Sequence, residues 1–180
     1  SSNATIGLSS SGTGNIPTFT AINNTNEPIT SNITISPSIN GCSGVAKNYT
    51  ITINPKPIVN PISSQSTCAG ATISSINLTA SSPNSGTGTS FAWSGTNNSA
   101  IGLSMTSGTT SPIPSFVATN STNNSISSTI TVTPSYQGCV GNAIAFTIDV
   151  NPVSLGGTLS SNTSICAGGS SGLLTLSGHR

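Results

Sequence analysis

Cysteine is the most reactive residue type in this chain, and its four copies are regularly placed. Cys42 and Cys139 lie 97 residues apart in Gly-Cys-x-Gly sequences, and Cys68 and Cys166 lie 98 apart, each starting Cys-Ala-Gly. There is no Cys-x-x-Cys pair and no Cys/His cluster, so the spacing does not favour a metal site or a thioredoxin-type redox site. Equivalent placement instead predicts structural cysteines, which form disulfides in oxidising, extracellular compartments.

The other groups that could do chemistry are few and isolated. His179 is the only histidine, and Glu27 and Asp149 are the only carboxylates. Two acids at non-equivalent positions make neither a glycosidase pair nor a calcium site. Lys47 could suggest an intramolecular isopeptide bond, but Ile144 stands 97 residues later in its place. The sequence therefore predicts no enzymatic activity, no catalytic residue, no cofactor and no bound metal.

The composition limits the classes of partner. Charged residues make up 3% of the 180 residues, against about 25% in a typical soluble domain. Three basic residues cannot neutralise enough phosphates for nucleic-acid binding. No apolar run approaches the roughly 18 residues of a membrane-spanning helix. The abundant Ser, Thr, Asn, Ile and Val are typical of many short strands joined by turns.

The cysteines belong to a longer internal repeat. Ile33–Pro37 reads like Ile130–Pro134, and Asn54-Pro55 recurs as Asn151-Pro152, each 97 residues later. A period of this length suits a tandem array of whole small domains rather than a solenoid. We therefore expect residues 58–152 to form one complete repeat. Residues 1–57 are expected to be the back of a first copy and residues 153–180 the front of a third.

Period-2 alternation of apolar residues predicts an all-β fold. Seven short strands in about 95 residues are the number expected for an immunoglobulin-like β-sandwich. The proline-rich joints after each Asn-Pro predict that successive sandwiches form a semi-rigid rod. The seven predicted strands of the complete repeat are residues 64–69, 74–80, 90–94, 101–105, 114–120, 127–136 and 142–151.

Sandwich topology bears on which cysteines pair. In a Greek-key sandwich the first strand starts at the end where the last hairpin turns, and Cys139 stands in that turn. Placing Cys68 near the same end predicts a Cys68–Cys139 disulfide, closing a loop of about 70 residues worth roughly 4 kcal/mol. The rival Cys42–Cys68 pairing crosses between repeats, where the last strand would carry the chain about 30 Å away. Cys42 and Cys166 would then need partners outside this sequence.

Trp93 is the only tryptophan, and two interpretations compete for it. It alternates with Phe91 on an apolar strand face, which favours packing as the core anchor of a thin sandwich. The alternative is an exposed platform on which a sugar ring stacks, as in a polysaccharide-binding module. Exposed Thr rows such as Thr129, Thr131 and Thr133 would suit the same alternative.

The order of these blocks resembles a known family. Thr67-Cys68-Ala-Gly70, Phe91-Ala-Trp93-Ser94, Gly138-Cys139-Val-Gly141 and Phe146–Pro152 follow one another as in PKD-like, immunoglobulin-like tandem repeats of giant Bacteroidetes cell-surface adhesins, of the gliding-motility or biofilm type. The resemblance implies a stalk between a secretion signal and distal parts, exported by the type IX route. Trp93 is followed by Ser-Gly-Thr, so the strict PKD signature Trp-Asp-Phe-Gly-Asp-Gly is not present.

The sequence thus predicts a non-catalytic structural stalk segment of an extracellular adhesin or surface filament. Its partners would be neighbouring repeats of the same long chain or filament. The alternatives are a module that binds surface polysaccharide and a head-to-tail filament subunit. For the subunit, residues Arg180 and Ser1 correspond to repeat positions 82 and 96, so one chain's end would nearly complete the next chain's start.

Overall fold

Strands account for nearly all regular structure in residues 4–83, 87–159 and 164–179, which the computed structural model describes. The helical content there consists of two 3-10 turns, Ala4–Ile6 and Ser99–Ile101. The sixteen strands are β1 Ile29–Ile35, β2 Ser38–Ile39, β3 Cys42–Ser43, β4 Lys47–Ile53, β5 Ile58–Val59, β6 Gln65–Cys68, β7 Thr72–Ile73, β8 Ala80–Ser82, β9 Thr89–Gly95, β10 Ser107–Gly108, β11 Phe116–Val117, β12 Ile126–Tyr136, β13 Cys139–Val140, β14 Ile144–Asn151, β15 Gly156–Leu159 and β16 Leu176–His179.

The largest sheet lies in residues 58–152, which we name the central segment. Its strand order is β10-β9-β12-β14-β6, and β13 pairs with the end of β12. β12 and β14 are antiparallel from Ile126 opposite Val150 to Val132 opposite Ile144. β6 is parallel to β14, so the first and last long strands of the central segment lie side by side.

The second layer is made of shorter pairs. β5 pairs with β8 and β7 with β11, and an isolated bridge joins Ile76 to Ile113. The inward side chains of both layers form one core, because alternate residues of a strand face the same side. Its fifteen buried members all lie between residues 59 and 150, so the central segment holds a core of its own. The all-β fold predicted from the sequence is confirmed as an immunoglobulin-like β-sandwich.

The N-terminal segment, residues 4–57, contains a smaller version of this pattern. β1 and β4 form an antiparallel pair over seven residues, and β2 pairs with β3. Its buried core consists of Ile6, Leu8 and Ile33. The C-terminal segment, residues 153–179, contributes the antiparallel pair β15–β16, which is exposed throughout.

Two predicted strands are wrong. In place of the strand predicted at residues 74–80, the structure has β7 ending at Ile73, an isolated bridge at Ile76 and β8 beginning at Ala80. Residues 101–105 were expected to be extended, but the chain there leaves a 3-10 turn that ends at Gly102. Gly102 has φ of 96°, and a Cβ on it would lie 2.2 Å from the Val117 carbonyl oxygen. Ile101 and Leu103 are still buried, because the turn points both side chains inward. Apolar alternation alone did not distinguish this turn from a strand.

Candidate functional site

Trp93 lies in the core of the sandwich. It is 3% exposed and stands between Val132 on β12 and Gly108 on β10. Its indole Nε1 donates a hydrogen bond to the Thr110 carbonyl oxygen at 3.2 Å. A Cβ on Gly108 would lie 2.7 Å from the indole ring, so glycine at this position lets the ring pack against the β10 backbone. The buried indole offers no open face on which a sugar could stack.

A buried polar pair supports the Trp93 side of the sheet. Asn98 is 1% exposed, and its Nδ2 donates to the Met105 carbonyl oxygen at 2.8 Å. Ser128 is 0% exposed, and its Oγ donates to Asn98 Oδ1 at 2.6 Å and also contacts the Thr96 carbonyl oxygen. Sequence reasoning missed both residues. The signal was present, because Ser128 takes the same inward register as Ile130 on β12.

Asn120 organises the other end of the same segment. Its Nδ2 donates to the Val150 carbonyl oxygen at 2.7 Å and to the Asn124 carbonyl oxygen at 2.8 Å. Its Oδ1 accepts from both the backbone N–H and the hydroxyl of Thr122, at 2.9 and 2.8 Å. This Asn-x-Thr turn therefore fastens the loop before β12 to the last residues of β14.

The two cysteines predicted to pair lie at opposite ends of the sandwich. Cys139 stands opposite Tyr136, at the end of the sheet where β12 turns into β13. We call this the hairpin end. Cys68 stands opposite Asn151, beyond the pairing of Val150 with Ile126 at the start of β12. The eleven residues of β12 separate the two positions, which is roughly 35 Å at about 3.3 Å per residue.

The predicted Cys68–Cys139 disulfide is therefore wrong, and all four cysteines are free thiols in the structure. A disulfide needs Cα atoms about 4.4–6.8 Å apart. The central segment does begin at the hairpin end, as expected. However, β6 lies parallel to the last residues of β14, from Gln65 opposite Ile148 to Cys68 opposite Asn151, so Cys68 lies at the far end.

The hairpin end packs on the joint to the N-terminal segment. Pro55 and Pro57 in this joint are less than 2% exposed. A Cβ on Gly141 would lie 2.0 Å from the Pro57 carbonyl oxygen, so the hairpin and the joint are in close contact. Ser82 Oγ donates to the Lys56 carbonyl oxygen at 3.0 Å. Side chains and backbone of the central segment thus contact the joint at Lys56 and at Pro57.

A cleft of about 690 Å³ opens beside this joint, and we name it the junction cleft. The N-terminal segment contributes Ala21, Ile22 and Asn54 to its walls, and the central segment contributes Cys139 and Val140. Cys139 is partly exposed, whereas Cys42, Cys68 and Cys166 are exposed. Cys139 therefore lines a cleft that it shares with residues of the neighbouring segment.

Comparison with known families now adds to this geometry. The family described as PKD-like domain matches residues 65–154, which is half of the chain. The chain belongs to the PKD-like domain family. The matched residues begin with β6 and include Cys68, Trp93 and Cys139. Comparison with the curated proteins found no match.

The remaining reactive side chains of this PKD-like protein do not come together. His179 ends β16, Lys47 starts β4, Asp149 lies on β14 and Glu27 lies in the loop before β1. Within the described residues, no group of three or more His, Cys, Asp or Glu side chains is placed to hold a metal ion. In the same ranges, no helix is long and apolar enough to cross a membrane.

Proposed function

We propose that this chain is a non-catalytic structural stretch of an extracellular stalk, in which PKD-like domains follow one another in a cell-surface adhesin or filament. The observation that carries the proposal is the same hydrogen bonding at positions 97 residues apart. Asn23 Nδ2 donates to the Ile53 carbonyl oxygen at 2.8 Å, as Asn120 does to Val150 at 2.7 Å.

The equivalence extends to the turns. Gly44 N–H donates to the Pro37 carbonyl oxygen at 2.8 Å, and Gly141 N–H donates to the Pro134 carbonyl oxygen at 3.0 Å. In a stalk the ends of successive units must have the same structure, because the end of each unit must fit the start of the next. The matching turns supply that property.

The joint between units favours a stiff stalk over loose beads. Proline favours extended backbone conformations, Pro55 and Pro57 are in addition buried, and the Pro57 carbonyl oxygen lies close to Gly141 of the central segment. Val59 pairs with Ala80 directly after the joint, so few residues are left to bend.

Strand order suits a unit that carries tension. The central segment starts with β5 and β6 and finishes with β14, and β6 lies parallel to β14 over four residue pairs. Pulling the two ends of the segment apart therefore loads these hydrogen bonds along the strands, all at once, instead of opening them one by one. Such shear is the more resistant arrangement.

The polysaccharide-binding alternative has lost its strongest residue, since Trp93 is buried. The family resemblance and the placement of the cysteines support an extracellular location, and the resemblance alone supports export by the type IX route. The low charge fits a stalk as well, because few ion pairs leave little for salt to screen.

The proposal is tested by the stiffness of the joint. Spin labels at Thr34→Cys and Thr129→Cys, in a chain whose four native cysteines are serine, report the distance between the two segments by double electron–electron resonance. We expect one narrow distance distribution, and a broad one when Pro55 and Pro57 are both replaced by glycine. A broad distribution in the chain with both prolines would contradict the stalk.

A further inference from the structure

Cys139 lines the junction cleft together with residues of the N-terminal segment whose counterparts can be located in the central segment. Ala21, Ile22 and Asn54 line this cleft together with Cys139. The residues 97 positions later are Ala118, Thr119 and Asn151, at the far end of the central segment. If the repeats are equivalent, the residues that contact Ala118 and Asn151 in the central segment have counterparts that would contact Ala21 and Asn54 in a complete first repeat. Those counterparts would then lie at the cleft that Cys139 lines.

The central segment places Cys68 there. Asn151 is the ladder partner of Cys68, and the Asn151 carbonyl oxygen accepts from the Ala69 N–H at 2.9 Å. The Ala118 carbonyl oxygen accepts from the Gly70 N–H at 2.8 Å. The Cys68–Gly70 turn thus covers Ala118, which is 1% exposed.

The N-terminal segment has the residues equivalent to Ala118 and Asn151, but among its described residues there is no strand equivalent to β6 beside them. Among the described residues, β4 pairs only with β1, whereas its counterpart β14 pairs with both β12 and β6. Ile51 and Ile53 on β4 are partly exposed, although their counterparts Ile148 and Val150 are 0% exposed. Ala21 is likewise exposed. The β4 edge therefore shows the features of a strand that accepts a further parallel strand.

We propose that β4 accepts a parallel strand of the β6 type from the preceding part of its own repeat, and that the cysteine of this strand forms a disulfide with Cys139. Adjacent strands lie about 4.8 Å apart, so that cysteine would sit about 5 Å from Asn54, on the wall of the junction cleft. That cysteine and Cys139 would then both line the junction cleft, and a disulfide between them requires that their Cα atoms lie about 4.4–6.8 Å apart.

The cysteines of the array then join neighbouring repeats instead of stapling each repeat internally. By the same relation, Cys68 bonds the hairpin cysteine of the following repeat. Each joint is held twice, once by the proline-rich backbone and once by the disulfide. This inference rests on the proposed tandem array.

The bond forms by oxidation of two thiols. Their two sulfur atoms join, and two protons and two electrons pass to a disulfide oxidant of the extracytoplasmic space, which is reduced to two thiols. Cys139 is partly exposed and Cys68 is exposed, so neither residue is enclosed in the core.

The test adds the matching part of a repeat to the whole chain. A copy of residues 58–95 fused ahead of Ser1 completes the N-terminal repeat, because Ser1 corresponds to position 96. The extended chain has one thiol beyond the four native ones. After refolding with oxidised glutathione, we expect two thiols to be lost and non-reducing peptide mapping to link the added cysteine to Cys139.

Two matched controls isolate the bond. Replacing the added cysteine by serine, or Cys139→Ser in the extended chain, should leave all four remaining thiols free. A bond from the added cysteine to Cys42, or no bond while the extension is protected from hydrogen exchange, overturns the disulfide and leaves the proposed stalk intact. An extension that stays unprotected overturns the tandem array as well.

A second protein covers the case in which the extension does not fold. Two copies of residues 58–152 joined through Lys-Pro, so that Asn-Pro-Lys-Pro precedes the second copy as it precedes Ile58, should fold, since each holds its own core. We expect Cys68 of the first copy to bond Cys139 of the second, with the other two thiols free. Thiols that all remain free in this folded pair would overturn the proposal.

Discussion

The N-terminal and central segments share their turns but not their cores. The Asn23 and Asn120 networks match bond for bond. By contrast, Ile35 and Tyr49 are 49% and 58% exposed, and their counterparts Val132 and Phe146 are 0% and 2% exposed. In the central segment β9 pairs with β12 and places Trp93 beside Val132, and both Val132 and Phe146 belong to the buried core.

The matching turns and the different cores of the two segments have different causes, because the turns depend on residues within each segment and the core depends on strand β9. The asparagine networks join residues about 30 positions apart, all present in each segment, so they form in both. Burial of Val132 depends on Trp93, which stands opposite it on the neighbouring strand β9. The turns therefore fix the ends of a PKD-like unit, and the tryptophan strand closes its core.

Trp93→Ala should have the largest effect, because it removes the residue that distinguishes the two cores. We expect the free energy of unfolding of the central segment to fall by about 3–5 kcal/mol, the usual cost of truncating a buried large aromatic residue. Urea denaturation followed by far-ultraviolet circular dichroism measures the loss. A loss below about 1 kcal/mol would mean that the core closes without the indole.

Phe146→Ala and Tyr49→Ala are a matched pair at equivalent positions. We expect Phe146→Ala to cost about 3 kcal/mol, because the ring is buried. Tyr49→Ala should change local stability by less than about 0.5 kcal/mol, because its ring is mostly exposed. Hydrogen exchange in β14 and in β4 reports the two effects separately. Equal losses at both positions would contradict the difference between the cores.

Gly141→Ala and Gly44→Ala compare the two hairpin turns. A Cβ on Gly141 would lie 2.0 Å from the Pro57 carbonyl oxygen, whereas one on Gly44 would lie 3.0 Å from Pro37 Cγ, a ring atom able to shift. We expect Gly141→Ala to cost about 1–3 kcal/mol by overpacking and Gly44→Ala to cost less than 1. Thermal unfolding monitored by Trp93 fluorescence measures the first, and hydrogen exchange in β1 and β4 the second.

Much of the fold could be predicted because alternation states which face of a strand is buried. It placed β9, β12 and β14 and the inward side of Trp93 from apolar spacing alone. The burial of Asn98 could not be predicted in this way, because it depends on a hydrogen bond from Ser128 on β12, which is distant in sequence. Alternation also fails at residues 101–105, where a tight turn buries the same side chains as a strand would.

The cysteine pairing could not be predicted by the same means. Alternation gives the face of a residue but not the end of the sheet at which it lies. Cys68 and Cys139 were placed together because the first strand begins at the hairpin end. The register places Cys68 opposite Asn151, at the end of the sheet away from the hairpin. The distance along the strand, rather than the topology, decided the outcome.

Cys139→Ser and Cys68→Ser should have the smallest effects in this chain. Neither thiol is bonded and neither is in the buried core, so each substitution should change the free energy of unfolding by less than about 0.5 kcal/mol. Urea denaturation with and without a reducing agent measures this, and the two curves of the unmodified chain should coincide. An intradomain disulfide would instead add about 4 kcal/mol, lost with the reductant. Such a loss would contradict the separation of the two cysteines by the full length of β12, and with it the assignment of each to a different joint.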